Sequence, residues 1–306
     1  MKAAYISTFG GAENIQYGEQ TLAINDADSV TVRVKASALN PLDSKIMAGY
    51  MEQVFPVQMP YIVGSDFSGI VEEVGSNVSQ FRPGDRVAGR TDPCAGGALA
   101  EFVVINAHEL VSLPDEMSFE QAAAIPTAYG TAHLALFGKR KLQAGQRVLI
   151  HAGAGGVGSF AIQLAKQAGA EVIATASAKN IAMVTSLGAD EVIDYRSQDF
   201  TQIAPVDVVL DPFGGEALER SWQVLKPGGH IATLADFAIT DRGDRHGHAV
   251  FFADATVALP QAMRDFSNGN LQIVIDSIHL LEQSRAALER VASGHACGKV
   301  IVRSGR

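Results

Sequence analysis

Two cysteines in 306 residues, Cys94 and Cys297, are too few for a disulfide framework or a four-cysteine zinc site. Both read as free thiols in a reducing compartment. Positive charge is short as well: 24 Lys and Arg stand against 33 Asp and Glu, a formal net charge of -9, which leaves no basic footprint for nucleic acid. No apolar run approaches the length of a membrane span, and the opening stretch MKAAYISTFGG lacks the apolar core of a leader. A cytoplasmic protein with neither a membrane nor a nucleic-acid partner is expected. Internal repeats and low-complexity segments are absent too. What is present is 47% hydrophobic and 19% charged, a globular composition, over a length that fits about two domains.

The most informative stretch runs from His151 to Ser177. Arg147-Val148-Leu149-Ile150 is a short apolar run bounded by glycines, as a buried parallel strand should be. Gly153, Gly155 and Gly158 then match G-x-G-x-x-G, within the turn Gly153-Ala154-Gly155-Gly156-Val157-Gly158. In such a turn the first glycine permits the bend, the second lets a pyrophosphate approach the backbone, and the third lets helix pack on strand. Val157, Phe160, Ala161, Leu164 and Ala165 recur at helical spacing, so the amides of a first helical turn would point at the anion. A second strand follows over Glu171 to Ala174. Glycine turns also serve purely structural corners, but strand, turn, helix and strand in this order favour a dinucleotide site.

A site for the unphosphorylated ribose places Asp or Glu roughly twenty residues on, at the end of the second strand. That place holds Ala174-Thr175-Ala176-Ser177, with no carboxylate to repel a 2′-phosphate. Ser177 offers a hydroxyl and Lys179 a cation, which favours NADP(H) unless Lys179 is only an incidental surface lysine.

The first third is strand-rich. Lys2 to Ser7, Ser29 to Ala36, Ser68 to Val74, Arg86 to Gly89 and Ala100 to Ile105 are separated by Gly, Pro and Asn turns, with a short helix over Asp43 to Ala48. Ser118-Phe119-Glu120-Gln121 has the form of a capping box and opens a helix running to Thr127. Beyond it strands and helices alternate: Val148 to Ile150, Glu171 to Ala174, Glu191 to Asp194, Val206 to Asp211 and His230 to Leu234, the pattern of a doubly wound parallel sheet. A helix over Gln283 to Ala292 and an orphan strand over Lys299 to Val302 close the chain.

Taken together, Leu39-Asn40-Pro41-Leu42-Asp43, Gly64-Ser65-Asp66-Phe67-Ser68-Gly69, Phe81-Arg82-Pro83-Gly84-Asp85-Arg86-Val87, Gly97-Ala98-Leu99-Ala100-Glu101-Phe102, the glycine turn, Leu225-Lys226-Pro227-Gly228-Gly229 and Gly298-Lys299-Val300 carry a resemblance over essentially the whole chain. The chain resembles the zinc-independent quinone oxidoreductases of the medium-chain dehydrogenase/reductase superfamily, the group of zeta-crystallin and the alkenal reductases. The resemblance implies an α/β protein: a GroES-like β-rich catalytic domain over residues 1–119, completed by about 266–306, and a Rossmann domain with a doubly wound parallel sheet over 120–265. It explains the orphan strand, which would return to the first domain, and it implies a cleft joining the two domains.

Zinc-dependent members of the superfamily carry a Cys-His-Cys catalytic site and often a structural lobe with four cysteines. Here Asn40 stands at the first ligand position, Ser65 and Asp66 where a His-Glu pair would be, and Ala123 near the later cysteine; only a short loop joins Arg90 to Gly97. No metal is expected. The resemblance places Asn40, Asp43 and Thr127 beside the nicotinamide and its ribose, although Asn40 and Asp43 also suit a helix cap. It sets Tyr195 against the adenosine phosphate, or leaves it an ordinary aromatic, and makes Lys299 a phosphate contact or a solvated strand-end lysine. Tyr50 becomes an optional proton donor. Cys297 stands where similar proteins have a basic residue and reads as a buried thiol, and Asp241 to His248 reads as a charged loop rather than a metal site.

The implied activity is hydride transfer from NADPH to a quinone or an α,β-unsaturated carbonyl, with orientation supplied by the protein. An enoyl-thioester reductase, or a non-enzymatic protein that binds or senses NADPH, is the alternative. The apolar run Ala249-Val250-Phe251-Phe252-Ala253 is expected to form the edge of the sheet, and its pairing across a two-fold axis to give a homodimer.

Overall fold

The computed structural model describes residues 1–251 and 257–305. Two compact units emerge: Met1–Thr127 with Asp254–Asn268 and Ile273–Arg306, and Ala128–Ala253 with Gly269–Gln272.

The long strand Ser29–Leu39 organises the first unit. One of its edges pairs antiparallel with Asp66–Val74 along most of its length. The other edge is shared: Phe102–Asn106 pairs with residues Ser29 to Arg33, and Lys299–Arg303 with Ala36 to Leu39. The orphan strand of the sequence therefore has its partner here, some 260 residues earlier in the chain than Lys299. Val30, Val32 and Val34 pack with Phe67, Val71, Phe81, Val87 and Val103, while Ala36 and Ala38 pack with Ala123, Ala124 and Ile301. The burial of these β-branched and aromatic side chains holds the sheet together.

That last cluster explains why the first unit extends to Thr127 rather than ending at residue 119. The helix Phe119–Ala123 lays its alanines on the long strand, so it belongs to the strand-rich unit. It also ends earlier than the sequence pattern implied. Pro126 has no amide to continue the ladder and instead opens a new helix, Pro126–Phe137. On the return, Gly269–Gln272 goes with the second unit, because Gln163 donates to Gln272 O and accepts from Gln272 N, while Gln167 donates to Asn270 O.

The second unit is built on six strands in the order Glu191–Asp194, Glu171–Ala176, Arg147–Ile150, Val206–Asp211, Leu225–Thr233 and His246–Ala249. All neighbours run parallel. Strand order reverses beside Arg147–Ile150, and the carboxyl ends at such a switch point are where open α/β sheets bind ligands. Leu149, Ile173, Val209 and Ile231 fill the core with Leu218 and Trp222 of the helix Gly215–Val224.

The edge differs from the sequence expectation. Its strand is His246–Ala249, the end of the stretch read as a charged loop; Val250 donates to Thr233 O, and Phe252 and Ala253 of the expected edge run lie outside the described residues. His248 faces inward in this strand. Its register opposite Ala232 puts it on the same sheet face as His230, with ring centroids 5.6 Å apart. Both Nε2 atoms are buried without a hydrogen-bond partner. Burial, then the neighbouring His248, Arg140 and His246, push His230 down to about 4 against the opposing pull of Asp207.

Folded His230 thus stays neutral where the unfolded chain, near pH 6.5, would already take up a proton. Its contribution is complete above pH 6.5 and is lost as pH falls toward 4. From pH 8 to pH 5 the wild type should lose about 2 kcal/mol more stability than His230→Phe, read by urea denaturation at the two pH values. Equal losses in the two proteins would contradict this.

Candidate functional site

In the second unit the strand Arg147–Ile150 ends in a turn and the helix Gly156–Gln167 begins with Gly155 as its N-cap. The N-terminal amides of the helix, from Gly156 on, have no intrahelical acceptor and form the positive end of the helix dipole. The glycines divide the work as the motif requires. A Cβ on Gly158 would stand 2.2 Å from Ala152 O, so this residue lets helix and turn touch. One on Gly153 would meet Ala174, Ile162 and Val184 at 3.0 to 3.3 Å. Around Gly155 only Ala152 is near among the described residues, its carbonyl oxygen at 3.3 Å from where a Cβ would stand. A turn with no other close neighbour at the second glycine and free amides behind it fits a pyrophosphate.

The next two strands supply the outer end of this edge. Ser177 directly follows Glu171–Ala176 and is buried; Lys179 is exposed in the 3-10 turn Ala178–Asn180. Parallel pairing sets Ala176 opposite Asp194, so Tyr195 comes alongside, its amide donating to Ala176 O and its ring 52% exposed. The Arg196 guanidinium lies 5.7 Å from the Tyr195 ring centroid. A hydroxyl, an exposed lysine, an exposed ring and an arginine thus share one end of the sheet. Arg196 has no motif of its own, so the sequence alone does not single it out.

The first unit holds a different constellation, assembled by strand register. Asn40 follows Leu39 at the end of the long strand; Asp66 opens the neighbouring strand opposite Ala38; Arg90 ends the next strand opposite Asp66; Lys299 opens the strand on the other side. Four polar side chains, each under a tenth exposed, meet in one row across four strands. Lys299 Nζ donates to Asn40 Oδ1 at 2.5 Å and to Leu39 O at 3.0 Å, and lies 3.5 Å from Asp66 Oδ2. Asn40 Nδ2 donates to Asp66 Oδ2 at 2.9 Å. Asp66 Oδ1 accepts from the Thr127 amide at 3.2 Å and the Thr127 hydroxyl at 2.6 Å, and Arg90 Nε donates to Thr127 Oγ1 at 3.0 Å.

Asp43 is attached from below. It accepts from the Asn40 amide at 2.7 Å and its own amide donates to Asn40 O, the helix-cap arrangement at the start of Pro41–Met47. Burial raises its carboxyl to about 7 in spite of that hydrogen bond, with the Asp66 charge acting in the same direction. Burial also pulls Lys299 below the usual lysine range, opposed by Asp66 and Asp43.

These contacts correct two of the readings of Lys299. It is neither a solvated strand-end lysine nor a cation turned out to a phosphate: its side chain is 4% exposed and its ammonium is occupied by Asn40, Leu39 and Asp66. Asn40, Asp43, Thr127 and Lys299 are brought together; Tyr50 is 82% exposed on the turn after the short helix, and its amide donates to Lys45 O rather than to any of them. Cys297 is half-buried, and its amide donates to Asp276. Asp66 and Arg90 were missed as partners in the sequence. Their positions opposite each other across a ladder are visible only once register is known.

Comparison with known proteins places both units. Residues 26–115 match the family model for the alcohol dehydrogenase GroES-like domain, and residues 187–302 the model for zinc-binding dehydrogenase. A chloroplastic quinone-oxidoreductase homolog of Spinacia oleracea is 33% identical over 312 residues, 96% of this chain and 95% of the relative. A chloroplastic NADPH-dependent alkenal/one oxidoreductase of Arabidopsis thaliana is 33% identical over 315 residues, 99% of this chain and 79% of the relative. The solved structure of the quinone oxidoreductase from Coxiella burnetii superimposes with a TM-score of 0.93 at 33% identity, over 100% of this chain and 99% of that one.

The buried row makes its own prediction. Lys299→Met leaves Asp66 buried without its ammonium and should lower unfolding stability by about 3 kcal/mol. Adding Asp66→Asn should return part of that loss, because a neutral amide no longer needs the cation. Urea denaturation of the single and double variants decides it; a double variant as unstable as the sum of the singles would show that the two side chains are not coupled.

Proposed function

The chain belongs to the medium-chain dehydrogenase/reductase superfamily, and from that premise we propose which of its residues serve the reaction and how. It is an NADP(H)-dependent oxidoreductase of the quinone and enone reductase kind. The observation that carries the site assignment is the glycine turn: first-turn helix amides with no intrahelical acceptor, and at Gly155 no close neighbour but Ala152 among the described residues, at the carboxyl edge of a parallel sheet.

When bound, NADPH supplies a hydride at its nicotinamide ring. The turn Gly153 to Gly158 holds the pyrophosphate on helix amides, and Ser177 and Lys179 take the 2′-phosphate with Tyr195 and Arg196 beside them. Asn40 and Thr127 are the polar groups offered to the reacting end. Their orientation is fixed in advance, Asn40 by Lys299 and Asp66 at its two amide atoms, Thr127 by Asp66 and Arg90. Asp43 braces Asn40 through its backbone amide rather than meeting a reactant. Such prior orientation is what a hydride transfer needs from its protein.

Zinc does not fit the place where related enzymes ligate it. Asn40 and Asp66 already share the Lys299 ammonium, Ala123 has no donor, and among the described residues no three His, Cys, Asp or Glu side chains converge on a metal position. Lacking a Lewis acid at that place, the acceptor must be activated by its own conjugation, so quinones and enones are the substrates and simple alcohols are not. The proton that completes reduction comes from solvent, with the exposed Tyr50 as an optional donor. The outer edge of His246–Ala249 has no partner among the described residues, and pairing it with a second copy would cover it. A dimer is therefore proposed; a monomer mass by light scattering at micromolar concentration would rule it out.

Nucleotide titration and a panel of acceptors test the assignment. NADPH should bind more tightly than NADH, and Lys179→Ala should weaken NADPH alone by about 1 to 3 kcal/mol. Gly155→Val should abolish nucleotide binding, and Tyr50→Phe should cost less than the roughly 100-fold expected for an essential acid. Equal affinity for the two nucleotides, or robust turnover of a primary alcohol, would overturn the reading.

A further inference from the structure

His151 is buried directly behind the glycine turn and has no part in the chemistry above. Its two ring nitrogens are both engaged. Nε2 lies 3.0 Å from Ser221 Oγ and Nδ1 lies 3.2 Å from Thr175 Oγ1. Ser221 has a single hydroxyl proton, which it donates to Ala217 O at 2.7 Å, so toward the ring it acts as acceptor. The ring proton is therefore on Nε2, and Nδ1 accepts from the Thr175 hydroxyl.

Thr175 in turn grips the turn at two adjacent residues. Its Oγ1 accepts from Ala152 N at 3.2 Å and its carbonyl accepts from Gly153 N at 2.8 Å. Ala152 needs such a grip. Its φ is 53°, and it is the one non-glycine residue among those described that stands in the left-handed region. The Ala152 carbonyl accepts from Gly155 N at 2.8 Å, and it is the group against which Gly158 must be without a side chain. The conformation of Ala152 thus sets where Gly155 and the first helical amides point.

The geometry points to His151 and Thr175 as positioning residues of the phosphate-binding turn: the ring fixes the direction of the Thr175 hydroxyl, and the hydroxyl oxygen holds Ala152 in the conformation that aims the amides at the anion. The inference rests on the reading of this turn as the NADPH phosphate site. His151 also packs edge-on to Phe200, with centroids 4.7 Å apart, so a purely space-filling role is the competing account.

The test is an NADPH titration by fluorescence, with KM for NADPH, kcat on a quinone and melting temperature measured alongside. Thr175→Val keeps the shape and removes the hydroxyl; it should raise both Kd and KM for NADPH about tenfold with kcat within about twofold, since chemistry is untouched. Thr175→Ser should restore wild-type affinity. His151→Phe keeps the ring packing and should weaken NADPH as Thr175→Val does, and the double variant should be no weaker than either single, because both act through one hydroxyl. If either variant fails to fold, Ser221→Ala, which frees the ring proton, should still raise Kd about threefold. Unchanged affinity in folded Thr175→Val or in Ser221→Ala, losses that multiply in the double variant, or failure of serine to rescue would each overturn the inference. A wild-type protein that does not bind NADPH would instead overturn the reading of the turn itself.

Discussion

An ammonium shut away from water must find its partners inside the fold, and Lys299 finds them at the ends of two neighbouring strands, in Leu39 and Asn40 on one and Asp66 on the next. This requirement ties the last strand of the chain to residues Ala36 to Leu39 and sets the ends of the strands bearing Asn40, Asp66 and Arg90 in one row. A register slip of one residue would turn these side chains to the opposite face and leave Lys299 and Asp66 uncompensated. The polar row and the sheet register therefore specify each other. Asn40 and Thr127 gain fixed orientations as a result.

The second unit obeys a different constraint. Its parallel sheet is held by buried aliphatic side chains from both faces, and its working edge is shaped by close backbone approach, at Gly158 against Ala152 and at Gly153 against Ala174. The polar groups there hold the backbone in place: Thr175 holds Ala152 and Gly153, and Asp211 accepts from the Phe213 and Gly214 amides and the Thr233 hydroxyl. One unit fixes the orientation of side chains and the other the orientation of amides.

Much of this is legible in the sequence alone. Glycines at 153, 155 and 158 after an apolar run indicated the turn, because backbone sterics leave few alternatives; the absence of a carboxylate at Ala174 to Ser177 indicated the nucleotide. The strands of the second unit were visible because a parallel strand buried on both faces is an unbroken apolar run. What stayed hidden depended on register and tertiary burial. Nothing near Lys299 in sequence shows that its head is bonded to Asn40, since that contact is made by strands joined only at opposite ends of the chain. Likewise the charge around Asp241 to Arg245 masked the strand His246–Ala249, in which His248 turns inward. The helix expected over Ser118 to Thr127 divides because Pro126 ends one ladder and starts another, a signal present in the sequence but outweighed by the alanine run.

In the proposed reaction a hydride passes from NADPH to a carbon made electron-poor by conjugation, directed by orientation and without a metal. This is tested most directly with chelator-treated protein, NADPH deuterated at the transferred position of C4, and a simple enone, with the product read by mass spectrometry and NMR. The product should carry one deuterium on the carbon β to the carbonyl, formed at a rate unchanged by the chelator. Deuterium on the carbonyl carbon, or reduction that stops when zinc is removed, would contradict it.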